Sequence, residues 1–194
     1  IMRGSDSKMV IAHHDIVNPD SDNANDNSAS VINAIYLKHL SPSTNIVLTD
    51  GEECGFWGSK KLASLIKNGD FGNIDWVLNL ELTGRGGKNI MVGNHHGGLA
   101  KAISEKFGAP IVNTPMSDCS ALEAAGINTT VINPLGLLKE GESSEILGPN
   151  GYLDNSSWYD CHSSADSLDK ISIPDMKEFV EEILVPIVSG KYDI

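Results

Sequence analysis

The side chains able to do chemistry in this 194-residue chain fall in four short stretches. His13, His14 and Asp15 end an apolar run that begins at Met9, and Asp26 closes the Asn- and Asp-rich loop that follows. Glu52 and Glu53 come after the strand-like run Asn45 to Thr49. Glu81 ends the apolar run in WVLNLELTGRGG, and His162 lies in WYDCHSSADSLDKI. Imidazole and carboxylate groups are ligands for divalent cations such as zinc. Two His and three or four carboxylates suffice for a pair of cations if one carboxylate bridges them. A carboxylate can span ions about 3.5–4 Å apart, whereas an imidazole cannot. Taken singly, each group has an ordinary explanation. A His at a strand end is usually structural or exposed, the reading given to His14, His95 and His96. A Glu-Glu pair is usually surface, and an Asp in an Asn-rich loop usually caps a helix. Taken together, the groups share one setting: the end of a predicted strand, or the loop beyond it.

Such a cluster needs elements that end at one edge. Met9 to Ala12 reads as a strand, followed by a polar loop and a helix from Val31 whose apolar face is Val31, Ile32, Ile35, Leu37 and Leu40. Thr44 to Thr49 reads as the next strand. Asp50-Gly51 turns the chain, and Gly55 and Gly58 allow a tight approach before a helix at Ser59 to Lys67. Asn73 to Leu82, Asn89 to Val92 and Thr129 to Ile132 read as strands, the first apolar on both faces as a central strand requires. Gly98 to Phe107 reads as a helix with Gly108 beyond its end. Ser117-Asp118 caps a short helix that closes at Gly126, and Pro174 opens a last helix that turns Met176, Phe179, Ile183 and Leu184 inward. Leu135 to Tyr159 is rich in Gly, Ser, Asn and Pro and reads as one long loop, of a length that is usually functional or mobile. The alternation predicts an α/β sandwich that binds its ligand at the carboxyl edge of the sheet. Asp15, two residues after His13, is placed to share its strand face and hydrogen-bond it.

The chain has the length of one domain, residues 1–194, and 40% hydrophobic with 21% charged residues is a globular composition. A formal net charge of −12 argues against nucleic acid or an anionic membrane as partner. No apolar run approaches the roughly 18 residues of a membrane span. Cys54, Cys119 and Cys161 read as reduced thiols, which favours a cytoplasmic protein; a Cys119–Cys161 disulfide is the alternative. The chain begins at Ile1 rather than Met, so a secreted protein whose leader has been removed is the alternative. Oligomeric state is not readable.

The segments AHHD, NDNSAS, EECGFWGS, NLELTGRG, SDCSAL and HSSADS occur in that order. Their pattern resembles the co-catalytic dinuclear zinc aminopeptidases, which include bacterial leucyl-type aminopeptidases, aminopeptidase Y and glutamate carboxypeptidase relatives. The resemblance spans about residues 11–171. It implies a three-layer α/β/α sandwich with a mixed, mostly parallel central sheet, and a longer N-terminal segment than the 12 residues that precede His13. It also implies two zinc ions per chain. His13, Asp26 and Glu81 would hold one, and Asp26, Glu53 and His162 the other. Glu52 is the implied general base toward a water activated between the zincs, with Asp15 supporting His13 in the catalytic apparatus. A cis peptide bond is implied at Asp26-Asn27. The expected activity is that of a metallo-exopeptidase, an aminopeptidase acting on peptides or aminoacyl amides. Many relatives place Tyr before the last His, and Asp is common at the position of Glu81, although relatives with Glu exist. Here Cys161 precedes His162, so Trp158 or Tyr159 would have to reach a developing oxyanion. Two rivals keep the fold: a single-zinc glutaminyl-peptide cyclotransferase, which DGEE followed by WGSKKLA also resembles, and a non-catalytic peptidase-like module.

Overall fold

The structure is a computed structural model and describes residues 1–134 and 160–190. It contains a six-stranded sheet built from β1 (Lys8–His13), β2 (Asn45–Thr49), β3 (Trp76–Leu80), β4 (Ile90–Gly93), β5 (Ile111–Val112) and β6 (Thr129–Pro134). The order across the sheet is β2-β1-β3-β6-β4-β5. β2, β1, β3 and β6 run parallel, and β4 is antiparallel to β6 and parallel to β5. The sheet is therefore mixed and mostly parallel, as expected. β1 and β3 are buried along nearly their whole length because helices cover both faces, which selects apolar residues at every position of a central strand.

The helices are α1 (Ala29–Leu40), α2 (Trp57–Lys67), α3 (Leu99–Phe107), α4 (Asp118–Ala124), α5 (Ile173–Glu178) and α6 (Val185–Val188). The last two are joined by a π-helical stretch, Phe179–Leu184. Side chains alternate across a strand, and the two faces of β1 separate accordingly. Val10 and Ala12 join a core with Ala34 and Leu37 of α1, Ile103 of α3 and Phe179. Met9 and Ile11 join a second core with Leu62 of α2 and Leu122 of α4. This is the three-layer α/β/α sandwich. Local signals set the helix ends. Ser117 and Ser120 form a capping box on α4, Ser172 caps α5 with Pro174 in its first turn, and Gly108 ends α3 at φ 69°. A Cβ on Gly58 would lie 2.6 Å from the Asp50 carbonyl oxygen, so only glycine allows α2 to start so close to β2.

The structure corrects several sequence expectations. α1 begins at Ala29, and Ile32, Ile35 and Leu40 of its expected apolar face are 55%, 48% and 40% exposed. The buried face is Ala29, Ser30, Asn33, Ala34 and Leu37. The helix approaches the loop after β3 closely enough for Ser30 and Asn33 to hydrogen-bond Thr83, which needs small or polar side chains. α2 begins at Trp57 rather than Ser59, and β5 had no signal in sequence because it is only two residues long. Residues 135–159, with the long loop and the Trp158 and Tyr159 roles assigned to them, lie outside the described residues. No helix among the described residues is long and apolar enough to cross a membrane.

Candidate metal centre

Parallel strands β2, β1 and β3 end at one edge of the sheet, and each delivers a site residue there. His13 is the last residue of β1, Glu81 directly follows β3, and Glu52 and Glu53 sit in the turn between β2 and α2. Asp26 lies in the irregular turn Ala24–Ser28 between β1 and α1. His162 precedes the 3-10 turn Leu168–Lys170. All five expected ligand side chains and Glu52 line one cavity of about 510 Å³.

The two oxygens of Asp26 face different partners. Oδ1 lies 3.3 Å from His13 Nε2, which is itself 3.4 Å from Glu81 Oε2. Oδ2 lies 3.2 Å from His162 Nε2, which is 3.1 Å from Glu53 Oε2. Donor atoms of His13, Asp26 and Glu53 fall within 4.8 Å of one another. The peptide bond Asp26-Asn27 is cis. His13, Asp26 and Glu81 are buried, whereas the His162 side chain is 53% exposed, so the cavity is open on the His162 side.

Asp15 Oδ1 lies 3.5 Å from His13 Nδ1, an ion-pair distance. Asp15 also accepts the main-chain amides of Glu52 at 3.2 Å and Glu53 at 3.0 Å.

A set of buried amides orients the carboxylates, and sequence reasoning gave none of them a role. Asn79 Nδ2 donates to Glu81 Oε1 at 2.9 Å. Asn27 Nδ2 donates to Glu81 Oε2 at 2.9 Å and to the Leu80 carbonyl at 3.0 Å. Asn133 Nδ2 donates to the Glu81 carbonyl at 2.7 Å, and Asn25 Oδ1 accepts the Gly84 amide at 2.7 Å. Asp166 accepts the amides of Asn25 and Asp26. Asp118, fully buried, accepts from Thr49 Oγ1 at 2.5 Å. Asn27, Asp118 and Asp166 stood inside recognised motifs, which was the available signal. Asn79 and Asn133 lie within strands and offered none.

Burial and mutual repulsion perturb the acids. Glu52 is pushed up to about 8, first by burial and then by Glu81, Glu53 and Asp118. Burial also raises Glu53, Glu81 and Asp118. Burial alone would lower His13, but the Glu81 and Asp26 carboxylates outweigh it and push it up to about 12. Among the described residues no Lys or Arg lines the cavity. This concentration of buried carboxylate, with imidazole as its only basic partner, fits divalent cations.

His14, set aside at the outset, is exposed, and so is His96. The largely buried His95 ring pairs with Glu123 at 3.2 Å. Among the described residues none of the three cysteines forms a disulfide. Cys161 lines the cavity, but Cys119 does not: it is buried on α4 against Thr129 Oγ1 at 3.3 Å. Burial pushes both thiols well above the usual range.

The profile of a family described as peptidase family M28 matches residues 2–185. Among solved structures, the chain is similar to the zinc aminopeptidase BSAP from Bacillus subtilis at 19% identity and a TM-score of 0.68, covering 95% of this chain and 45% of that one. An aminopeptidase from Aneurinibacillus sp. strain AM-1 gives 19% identity, a TM-score of 0.67, and 96% and 44% coverage. A glutaminyl cyclase from an Acidobacteriales bacterium gives 17% identity, a TM-score of 0.70, and 99% and 72% coverage. At these identities the likeness shows the fold. The chain spans less than half the length of the two aminopeptidase structures. No curated protein sequence matches it.

Proposed function

From the premise that the chain belongs to peptidase family M28, we propose that residues 1–194 form one zinc-dependent catalytic domain that hydrolyses amide bonds at the N-terminus of peptides. The observation that carries this reading is the division of Asp26, one oxygen toward His13 and Glu81 and the other toward His162 and Glu53. Each half offers one imidazole and two carboxylates counting the shared one, a donor set suited to zinc. Zinc held there would polarise the scissile carbonyl and acidify a water.

The chain's own residues do the rest. Glu52 lines the cavity but pairs with neither imidazole, and it stands beside the ligand Glu53, which leaves it free to take a proton from the attacking water. Its raised pKa suits a base that must later return that proton to the leaving amine. Asp15 fixes the main chain beneath both glutamates. Asn79 and Asn27 hold both oxygens of Glu81 and keep its carboxylate turned to His13. The walls at Phe56, Leu82 and Met116 give the cavity an apolar lining beside the acids.

The test is zinc content per chain measured beside turnover of aminoacyl amides and of peptides with N-terminal Gln. Two zincs with amide hydrolysis is the expected result. One zinc with cyclisation of N-terminal Gln would replace this reading with the cyclotransferase, and zinc-independent inertness toward every substrate would leave a non-catalytic module.

A further inference from the structure

The segment that carries His162 also grips the main chain that carries Asp26. The Asp166 carboxylate is 3% exposed and accepts two amides from the far loop, Asn25 N–H to Oδ1 at 2.8 Å and Asp26 N–H to Oδ2 at 2.9 Å. Its own carbonyl accepts from Ser21 Oγ at 2.9 Å. The turn between His162 and Asp166 is compact. Ser163 Oγ donates to the Asp160 carbonyl at 2.7 Å and accepts the Ala165 amide at 3.1 Å, and the Asp166 amide donates to the Ser163 carbonyl at 3.1 Å.

From this geometry we infer that Asp166 is a positioning residue for the shared carboxylate, fixing Asp26 through its main chain and setting its distance from His162. Asp166 does not meet the Asp26 side chain. It holds the two peptide groups from which that side chain projects, with both carboxylate oxygens occupied by charge-assisted bonds. The consequence is asymmetric. Glu81 keeps its own supports, Asn79 and Asn27, so the His13, Asp26 and Glu81 half retains order without Asp166. In the other half the His162 side chain is 53% exposed, and three hydrogen bonds between its loop and that of Asp26 end on Asp166. Loss of Asp166 therefore falls on one ion more than the other. The metal readout rests on the two-zinc reading; the main-chain readout does not.

The experiment compares Asp166→Asn, Asp166→Ala and Asp22→Asn with wild type. Asp22 Oδ2 accepts the Leu168 amide at 2.9 Å, so Asp22→Asn weakens an exposed tie between the same two segments and serves as the reference. Amide exchange across residues 23–30 is followed in metal-free protein, and zinc affinity is measured by competition with a chromophoric chelator. In both Asp166 variants, exchange at Asn25 and Asp26 should quicken. One of the two zinc equivalents should weaken by about 10–100-fold, the usual effect of removing a group that orients a ligand. Excess zinc should restore turnover. Wild-type exchange and wild-type zinc affinities in Asp166→Asn would overturn the assignment, as would equal losses in Asp22→Asn. If Asp166→Ala does not fold, Asp166→Asn, which keeps the shape and one acceptor, carries the test. If wild type takes up no second zinc, the two-zinc reading fails, and amide exchange alone decides the role of Asp166.

Discussion

Asp15 Oδ2 accepts the main-chain amide of Glu53 at 3.0 Å, while its Oδ1 takes that of Glu52 at 3.2 Å. One carboxylate thus anchors the base of two neighbouring glutamates whose side chains then diverge. Glu53 reaches His162, and Glu52 stands in the cavity with no imidazole partner. Glu52→Gln keeps size and shape but cannot accept a proton, so it should retain zinc and fold while turnover falls by about 10²–10⁴-fold. Glu53→Gln should instead lower zinc occupancy and recover part of its activity in excess zinc. Zinc content and amide hydrolysis measured across added zinc separate the two, and the opposite pattern would exchange their roles.

The stability of metal-free protein should fall as pH rises. Glu52 moves from 4.5 to about 8 on folding, so the folded state binds its proton more tightly and that advantage is lost between these values. Glu53, Glu81 and Asp118 shift in the same direction. His13, raised to about 12, adds stability that is full below 6.5 and declines as pH rises toward 12. Zinc displaces these protons, so its stabilising effect should grow with pH and be accompanied by proton release. Melting temperatures of chelator-treated and zinc-loaded protein from about pH 5 to about pH 8 test the sign. A metal-free melting temperature that climbs across that range is incompatible with it.

Neither Cys161 nor Cys119 should hold metal. Cys161 borders Asp26 in the cavity, but His and carboxylate already fill both halves, and Cys119 faces Thr129 in the interior. Cys161→Ser and Cys119→Ser should each leave zinc stoichiometry unchanged. A loss of one zinc per chain in either variant would show that the ligand set is wrong.

Asn27→Ala should weaken both fold and site. Asn27 is fully buried, donates to Glu81 and to the Leu80 carbonyl, and accepts the Leu82 amide at 3.3 Å. Orphaning buried partners costs about 1–3 kcal/mol, which in a chain of this size lowers the melting temperature by several degrees, at roughly 2–4 °C per kcal/mol. Zinc affinity should fall with it, because Glu81 loses one of its two orienting bonds. Calorimetry and zinc titration on the same preparation check both effects.

The places of the acids were legible because β1, β2 and β3 are each an apolar run cut off by a titratable residue. His13 and Glu81 mark those cut-offs directly. α1 was misread because hydrophobicity does not report how close a helix must come. Ser30 and Asn33 meet Thr83 across a gap that Ile32 and Ile35 could not enter, and the isoleucines turn outward. Asn27 and Asn79 were invisible as supports for Glu81, since asparagine in a sequence reads as loop or turn. Only the fold puts these amides against a buried carboxylate. Strand alternation pointed to the nearness of Asp15 and His13, but not to the bonds Asp15 makes with the amides of Glu52 and Glu53 in another loop.

The parallel pairing of β1, β2, β3 and β6 also bears on how the chain matures. Strands paired in this way are joined through intervening helices, so their contacts form between distant stretches of chain and form slowly. The six acids and imidazoles are scattered from His13 to His162, and a nascent chain that stops short of His162 carries the first half of the centre without the second. In a small zinc finger the ion is the nucleus around which the peptide folds. Here two hydrophobic cores hold the strands in register, so on the proposed zinc reading metal capture would close the maturation of this chain rather than start it.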